Sequence, residues 1–309
     1  MTVRREIKSF IGAIDGIRPY RVFDRPLFVI SAPRSGSTFL FDMLSRFKES
    51  WAAPVEMDEV WWSLFPYDRS DPPSDYVGAA EHTGRSGQRL RRGLYRYTVW
   101  MRQARDLECD FIDRLALRPV RYVDKTIANC FHIEFLERVF PDARYLYLLR
   151  DGRATISSMM EGWTDPRFGK QALQRYIDQM GHTMQWAYPA PPHWRDQLGR
   201  PLEEVCAWSW CEHVRTAARQ LADVPADRKM IVRYEDVLAA PRESAARIAA
   251  FCQLSWSPAV TEFVNARPLS RTTVSAPTPD KWRRLHRDAI GRILPTISDM
   301  MAALGYAVD

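Results

Sequence analysis

One cation and three hydroxyls are crowded into five residues, Arg34-Ser35-Gly36-Ser37-Thr38. A guanidinium brings a full positive charge and a fork of N–H donors, and each hydroxyl adds another donor, so this set suits an anion. The elements that must position it flank it directly. Four apolar residues, Leu27-Phe28-Val29-Ile30, read as a buried parallel strand. From Thr38 to Leu44 apolar residues recur at helical spacing, so a helix opens near Ser37. In the turn between, Pro33 fixes one φ and Gly36 is free to take a positive one. Strand, tight turn and helix leave unpaired backbone N–H groups and the positive end of a helix dipole aimed at one spot, which binds anions. The pattern is not the Walker A loop, which needs four residues between its glycines and a Lys before the Ser/Thr. The plainer alternative is an ordinary strand-to-helix turn, in which Gly and Ser are common.

Residues Pro33 to Phe39 resemble the phosphosulfate-binding loop of the sulfotransferases that use 3'-phosphoadenosine 5'-phosphosulfate (PAPS). That loop reads Pro-[Arg/Lys]-Ser-Gly-[Ser/Thr]-Thr, and the sequence fits it without a gap. The resemblance implies that Arg34, Ser35, Gly36, Ser37, Thr38 and Phe39 hold the donor. A second signature lies further on. Tyr145 to Leu149 form an apolar strand that Asp151-Gly152 breaks, a helix opens at Arg153, and Ser158 lies about two turns into it. Arg150 and Ser158 match, residue by residue, the family's 3'-phosphate motif of Arg, seven residues, Ser. A guanidinium fork suits a phosphate dianion through bidentate, charge-assisted hydrogen bonds.

The resemblance extends to further residues. Glu56, 22 residues after Arg34, matches by position a Glu that acts in several branches as base on the acceptor hydroxyl. A solvated surface carboxylate is the plain alternative, and Asp58 and Glu59 crowd the choice. Arg121-Tyr122-Val123-Asp124-Lys125-Thr126 reads as a strand ending in polar residues, and its Lys125-Thr126 pair resembles one that contacts the sulfuryl group or the bridging oxygen. Ile127 follows where many members carry Pro or His, so a histidine base is absent there and His132 reads as structural. Lys229 to Val237 is a further strand running into a turn, with Tyr234-Glu235-Asp236 a recurrent family feature. The family closes the donor site with a late basic loop; here only Trp282 and a following cation remain, which makes Arg271 and Arg283 candidate phosphate contacts.

The chain has 309 residues, 46% hydrophobic and 27% charged, within the range of soluble globular proteins. Its net charge of +6 suits a polyanionic ligand, an acidic surface or nucleic acid alike. Five cysteines, Cys109, Cys130, Cys206, Cys211 and Cys252, show no metal spacing and point to a reducing, cytoplasmic setting. Met1 to Phe10 has basic residues without an apolar core after them, which argues against a secretory signal. No apolar run approaches the roughly 18 residues of a membrane span.

Gly93 to Met101 reads as an amphipathic helix with its Trp and Tyr inward, as core or as a wall of an acceptor pocket. The Arg run at 89, 91, 92, 96, 102 and 105 reads most simply as a solvated helix face, and otherwise as a site for an acidic acceptor or for peripheral contact with anionic lipid. Between Gly162 and Pro201 a Pro- and Trp-rich stretch reads as a lid or acceptor wall, against a packed insertion. Helices are expected over 202–222, from Pro241 through Cys252, and from Ile290 to Leu304 with Gly305 as the stop.

Together these predict an α/β fold: a P-loop-type parallel sheet flanked by helices on both faces, in a single domain over 1–309. The core runs over 26–305, with insertions about 60–118 and 160–222 that shape the acceptor site. The implied function moves the sulfuryl group of PAPS to a hydroxyl of a small-molecule, lipid or sugar acceptor by in-line displacement, a relative of phosphoryl transfer. Arg34, Glu56 and Lys125 are the expected catalytic residues; Arg150, Ser158, Tyr234, Arg271 and Arg283 join the loop in binding the donor. Fixed cations stand where a kinase holds Mg²⁺, so no metal is expected. A P-loop nucleotide kinase is one alternative, but it should carry Gly-Lys-[Ser/Thr]. A binding protein without turnover, for nucleotide or nucleic acid, is the other; nucleic acid calls for a basic stripe with interleaved aromatics, and no nucleic-acid partner is expected.

Overall fold

The structure, a computed structural model, describes residues 23–66, 74–104, 119–165, 186–276, 278 and 280–308. In chain order these form β1 (Leu27–Ile30), α1 (Ser37–Leu44), β2 (Ser50–Trp51), α2 (Asp58–Leu64), α3 (Gly84–Ala104), β3 (Arg121–Asp124), α4 (Ile133–Val139), β4 (Arg144–Leu149) and α5 (Gly152–Thr164). There follow α6 (Leu202–Ala222), β5 (Lys229–Arg233), α7 (Tyr234–Ala239), α8 (Pro241–Cys252), α9 (Pro258–Ala266), α10 (Lys281–Leu285) and α11 (Arg287–Ala303). The strands pair in parallel in the order β2-β3-β1-β4-β5. β1 is therefore central, and the chain crosses from one side of it to the other between β3 and β4. Open α/β sheets bind ligands beyond the carboxyl ends of the strands at such a switch point.

Alternation along the strands explains why helices cover both faces. Phe28, Ile30, Tyr122, Tyr145, Tyr147 and Leu149 enter one buried cluster with residues of α2, α3, α4 and α6. Their neighbours Leu27, Val29, Val123, Leu146, Leu148 and Val232 enter a second, against α1, α8 and α9. Both faces of the strands are apolar, so each face needs a helical cover. A third cluster joins α5, α6 and α11 through Ile156, Met159, Trp210, Ile290, Ile293 and Ile297.

Several details differ from the sequence reading. β2 has only two residues and no apolar run; its register on β3, Ser50 to Arg121 and Trp51 to Tyr122, creates it. Tyr234-Glu235-Asp236 opens the short helix α7 rather than a turn. In α3 Tyr95 is buried as expected, but Trp100 faces solvent, 58% exposed. The Arg residues of that helix divide. Arg91 bonds the Val139 carbonyl and lies over the Phe140 ring, and Arg102 donates to the Ala52 carbonyl at 2.9 Å, so neither belongs to a solvated face. His132 precedes α4 instead of lying within it. It is buried and bonded to the Asp75 carbonyl and to Asn129, a structural role. Cys130, Cys206, Cys211 and Cys252 are free and buried. Cys109, Arg105, the basic lead-in before Phe23 and much of the 160–222 insertion lie outside the described residues. No helix among the described residues is long and apolar enough to cross a membrane.

Candidate active site

The anion loop leaves β1 and enters α1 through two left-handed residues, Arg34 at φ 62° and Gly36 at φ 94°. Glycine is required at position 36 for a second reason: a Cβ there would stand 2.3 Å from the Tyr234 ring. No side chain caps α1 and no carboxylate sits in its first turn. The N–H groups of Ser37, Thr38 and Phe39 are thus left to an anion, at the positive end of the helix dipole. α5 is the contrast, because Asp151 caps it by accepting from the N–H groups of Arg153 and Ala154.

Arg150, at the end of β4, turns back to this loop. Its Nη1 donates to the Arg34 carbonyl at 3.0 Å, and its guanidinium lies 4.9 Å over the Tyr234 ring. Burial pushes the pKa of Arg34 down, with the charge of Arg150 adding to it against Tyr188 and Glu161. Two guanidinium groups crowded in a partly dried cavity are a demand for anionic charge.

The opposite wall is tied to the end of β3. Lys125 Nζ sits 2.5 Å from Glu56 Oε1, with side chains 4% and 32% exposed. The Ile127 N–H donates to Glu56 Oε2 at 3.2 Å, and the Met57 N–H donates to Thr126 Oγ1 at 2.7 Å. Thr126 in turn donates to Asp124 Oδ1 at 2.8 Å. Thr126 therefore holds the 56–58 segment against the sheet and is itself buried away from the cavity.

Most of the expected site residues share that cavity. Its walls include Pro33, Arg34, Gly36, Ser37, Thr38, Phe39, Glu56, Arg150, Ser158 and Tyr234. Lys125 stands behind Glu56 rather than in the wall. Ser35 is buried beneath the loop and does not line the cavity. Arg271 is exposed and outside the walls, although its neighbours Ser270, Thr272, Thr273, Val274 and Ser275 form one side. Arg283 is exposed too; it bonds Asp280 at 3.4 Å and lies over the outer side of the Trp282 ring.

The inward cation of the late loop is Lys281, which the sequence reading passed over. It lines the cavity and holds Glu161 Oε2 at 2.5 Å and Ser275 Oγ at 2.7 Å. Burial would raise the Glu161 pKa, but hydrogen bonds from Lys281 and Ser275 outweigh it and hold the carboxyl below its ordinary value. What distinguishes Lys281 appears only in the structure: a five-residue helix whose first two residues turn inward and whose next two turn out.

Asp58, Asp75, Trp62, Ala187, Tyr188 and Pro189 complete the wall beyond Glu56. Asp75 is fully engaged, accepting from Trp62 Nε1 at 3.2 Å and from the Ala190 N–H at 2.6 Å. The described part of the Trp-rich stretch is partly packed and partly lines the cavity. Trp186 and Trp194 pack with Trp163 and Trp208, while residues 187–189 face the cavity.

Comparison with known proteins places the chain's family and fold. The sequence profile of the sulfotransferase family matches residues 26–193 and 178–258. A protein-tyrosine sulfotransferase of Drosophila melanogaster is 25% identical over 187 residues, 56% of this chain and 32% of the relative, so the match spans about a third of that protein's length. Among solved structures, the sulfotransferase domain from the curacin biosynthetic pathway superposes with a TM-score of 0.50 at 18% identity, covering 92% of this chain and 98% of that one. That likeness bears on the fold alone. With the profile matching well over half of its length, the chain belongs to the sulfotransferase family.

Proposed function

We propose that the protein transfers the sulfuryl group of PAPS to a hydroxyl of a small-molecule, lipid or sugar acceptor. One observation carries this reading: the 3.0 Å hydrogen bond from Arg150 to the Arg34 carbonyl sets two anion-gripping elements side by side in a common cavity. A nucleotide phosphorylated at both the 3' and 5' positions needs two such grips at a short, fixed separation.

The residues present fit that donor. The N–H groups and hydroxyls of Ser37 and Thr38, with Arg34, would hold the phosphosulfate end. Arg150 and Ser158 would hold the 3'-phosphate, with Tyr234 stacked beneath Arg150. When bound, PAPS supplies an activated sulfuryl group whose departure leaves charge on the 5'-phosphate. Arg34 would offset that charge from the cavity wall, with Lys125 adding positive field from behind Glu56; a preorganised donor of this kind is worth on the order of 100- to 1,000-fold in rate. Trp62, Tyr188 and Pro189 would give the acceptor apolar contacts beside the carboxylates of Glu56, Asp58 and Asp75. A carboxylate must take the acceptor's proton; the sequence expectation for that role is Glu56.

The test is to incubate the protein with PAPS and a panel of alcohols and phenols, with and without EDTA, and to follow release of adenosine 3',5'-bisphosphate (PAP). Sulfated product and PAP in equal amounts, insensitive to EDTA, are expected. A phosphorylated product from ATP, lost with EDTA, would replace this reading with a kinase.

A further inference from the structure

Three carboxylates line the acceptor side of the cavity: Glu56, Asp58 and Asp75. Both oxygens of Glu56 are engaged, one by Lys125 and the other by the Ile127 N–H. Both oxygens of Asp75 are engaged as well, by Trp62 and the Ala190 N–H. Asp58 makes no hydrogen bond or ion pair among the described residues and opens onto the cavity.

We propose, resting on the donor reading above, that Asp58 takes the acceptor's proton, and that Glu56 is a positioning residue that holds Lys125 at the sulfuryl site. Glu56 already accepts from Lys125 at 2.5 Å and from the Ile127 N–H at 3.2 Å, so each of its oxygens serves a structural bond. It is a good anchor, because it fixes a long flexible ammonium in one place.

The groups facing Asp58 bear this out. Glu56 comes from the preceding loop, Asp75 from the segment before the short helical turn at 79–81, and Lys125 and Asp124 from the end of β3. Burial raises the Asp58 pKa well above its ordinary value, and the negative charges of Glu56, Asp75 and Asp124 add to this against Lys125 alone. Burial and like charge thus set Asp58 to exchange a proton nearer neutrality than an ordinary carboxyl group. In the transfer, the acceptor's O–H proton passes to an Asp58 oxygen as the acceptor oxygen bonds to sulfur. The bond from sulfur to the 5'-phosphate oxygen breaks, and its electron pair stays on the phosphate.

The experiment compares wild type, Asp58→Asn, Asp58→Glu and Glu56→Gln. PAP release from PAPS is followed as a function of pH, with water as acceptor and with 4-nitrophenol or 1-octanol added, and PAP affinity is measured by calorimetry. Wild type should lose activity as pH falls through a limb lying above the ordinary carboxylate value near 4. Asp58→Asn should lose about 100-fold or more in kcat, lose that limb, and keep its PAP affinity; Asp58→Glu should recover part of the rate. Glu56→Gln should lower kcat while retaining the limb. An unchanged limb in Asp58→Asn, its disappearance in Glu56→Gln, or loss of PAP binding along with turnover in Asp58→Asn would overturn the assignment. Wild-type protein that binds PAP no better than ATP and releases no PAP from PAPS would instead defeat the donor reading.

Discussion

Arg34 holds its charge on a backbone that arginine seldom adopts, and Gly36 follows two residues later at a still larger positive φ. Left-handed backbone costs an ordinary residue roughly 1–2 kcal/mol, and it persists at functional sites because the surroundings enforce it. At Gly36 the Tyr234 ring also fills the space a Cβ would need. Gly36→Ala should therefore lower the thermal midpoint and abolish detectable PAP binding, while Gly36→Ala with Tyr234→Ala should recover part of the stability but not the binding. Full PAP affinity in the single variant would show that the turn tolerates a Cβ. The loop was readable in the sequence because its chemistry is local: strand, turn and helix all lie within 14 residues, Leu27 to Leu40. The competition between Glu56 and Asp58 was not readable, since it depends on which oxygens Lys125, Ile127, Trp62 and Ala190 reach across the fold.

At the scale of elements, the cavity is closed by two segments that must be held in place. The 56–58 segment is fixed to β3 through Thr126 and Lys125. The 270–275 segment is fixed to α5 through Ser275 and the Glu161–Lys281 ion pair, whose side chains are 13% and 8% exposed. Breaking a buried ion pair by removing one partner costs about 3–5 kcal/mol. Glu161→Gln should thus raise the PAP dissociation rate and lower stability at neutral pH. Because folding lowers the Glu161 pKa from 4.5, its contribution is fully present above about 4.5 and fades as pH falls through the lower folded value. The stability gap between wild type and Glu161→Gln should therefore close on acidification; a gap that is constant from pH 7 to pH 3 would remove the carboxylate from this role. These ties explain what the sequence left obscure. Arg271 and Arg283 were the cations nearest the family's late basic loop, but the turn of α10 sends Lys281 and Trp282 inward and Arg283 and Arg284 outward. β2 likewise exists only through its pairing with a strand some 70 residues away.

Over the whole molecule, strand order sets where chemistry can occur, and the unbroken apolar runs of β1 and β4 made those buried parallel strands legible before any contact was known. Two buried histidines contribute to the molecule's response to acid. Burial lowers His132 to about 3 and His213 to about 4, against 6.5 when unfolded. Both are neutral in the folded chain and bind protons on unfolding, so their contribution is whole above pH 6.5 and is lost as pH falls toward 4 and 3, by about 1.4 kcal/mol per pH unit for each ring. The urea midpoint should accordingly drop between pH 7.5 and pH 5, and equal midpoints would contradict the burial of these rings. The central claim concerns two grips spaced for one doubly phosphorylated nucleotide. It is tested most directly by calorimetry with PAP, adenosine 5'-phosphate and ATP on wild type and Arg150→Ala. The account predicts that PAP binds best, that loss of its 3'-phosphate weakens binding on the order of 10- to 100-fold, and that Arg150→Ala removes this advantage while leaving adenosine 5'-phosphate nearly unaffected. Equal affinities for the three nucleotides, unchanged by the substitution, would contradict it.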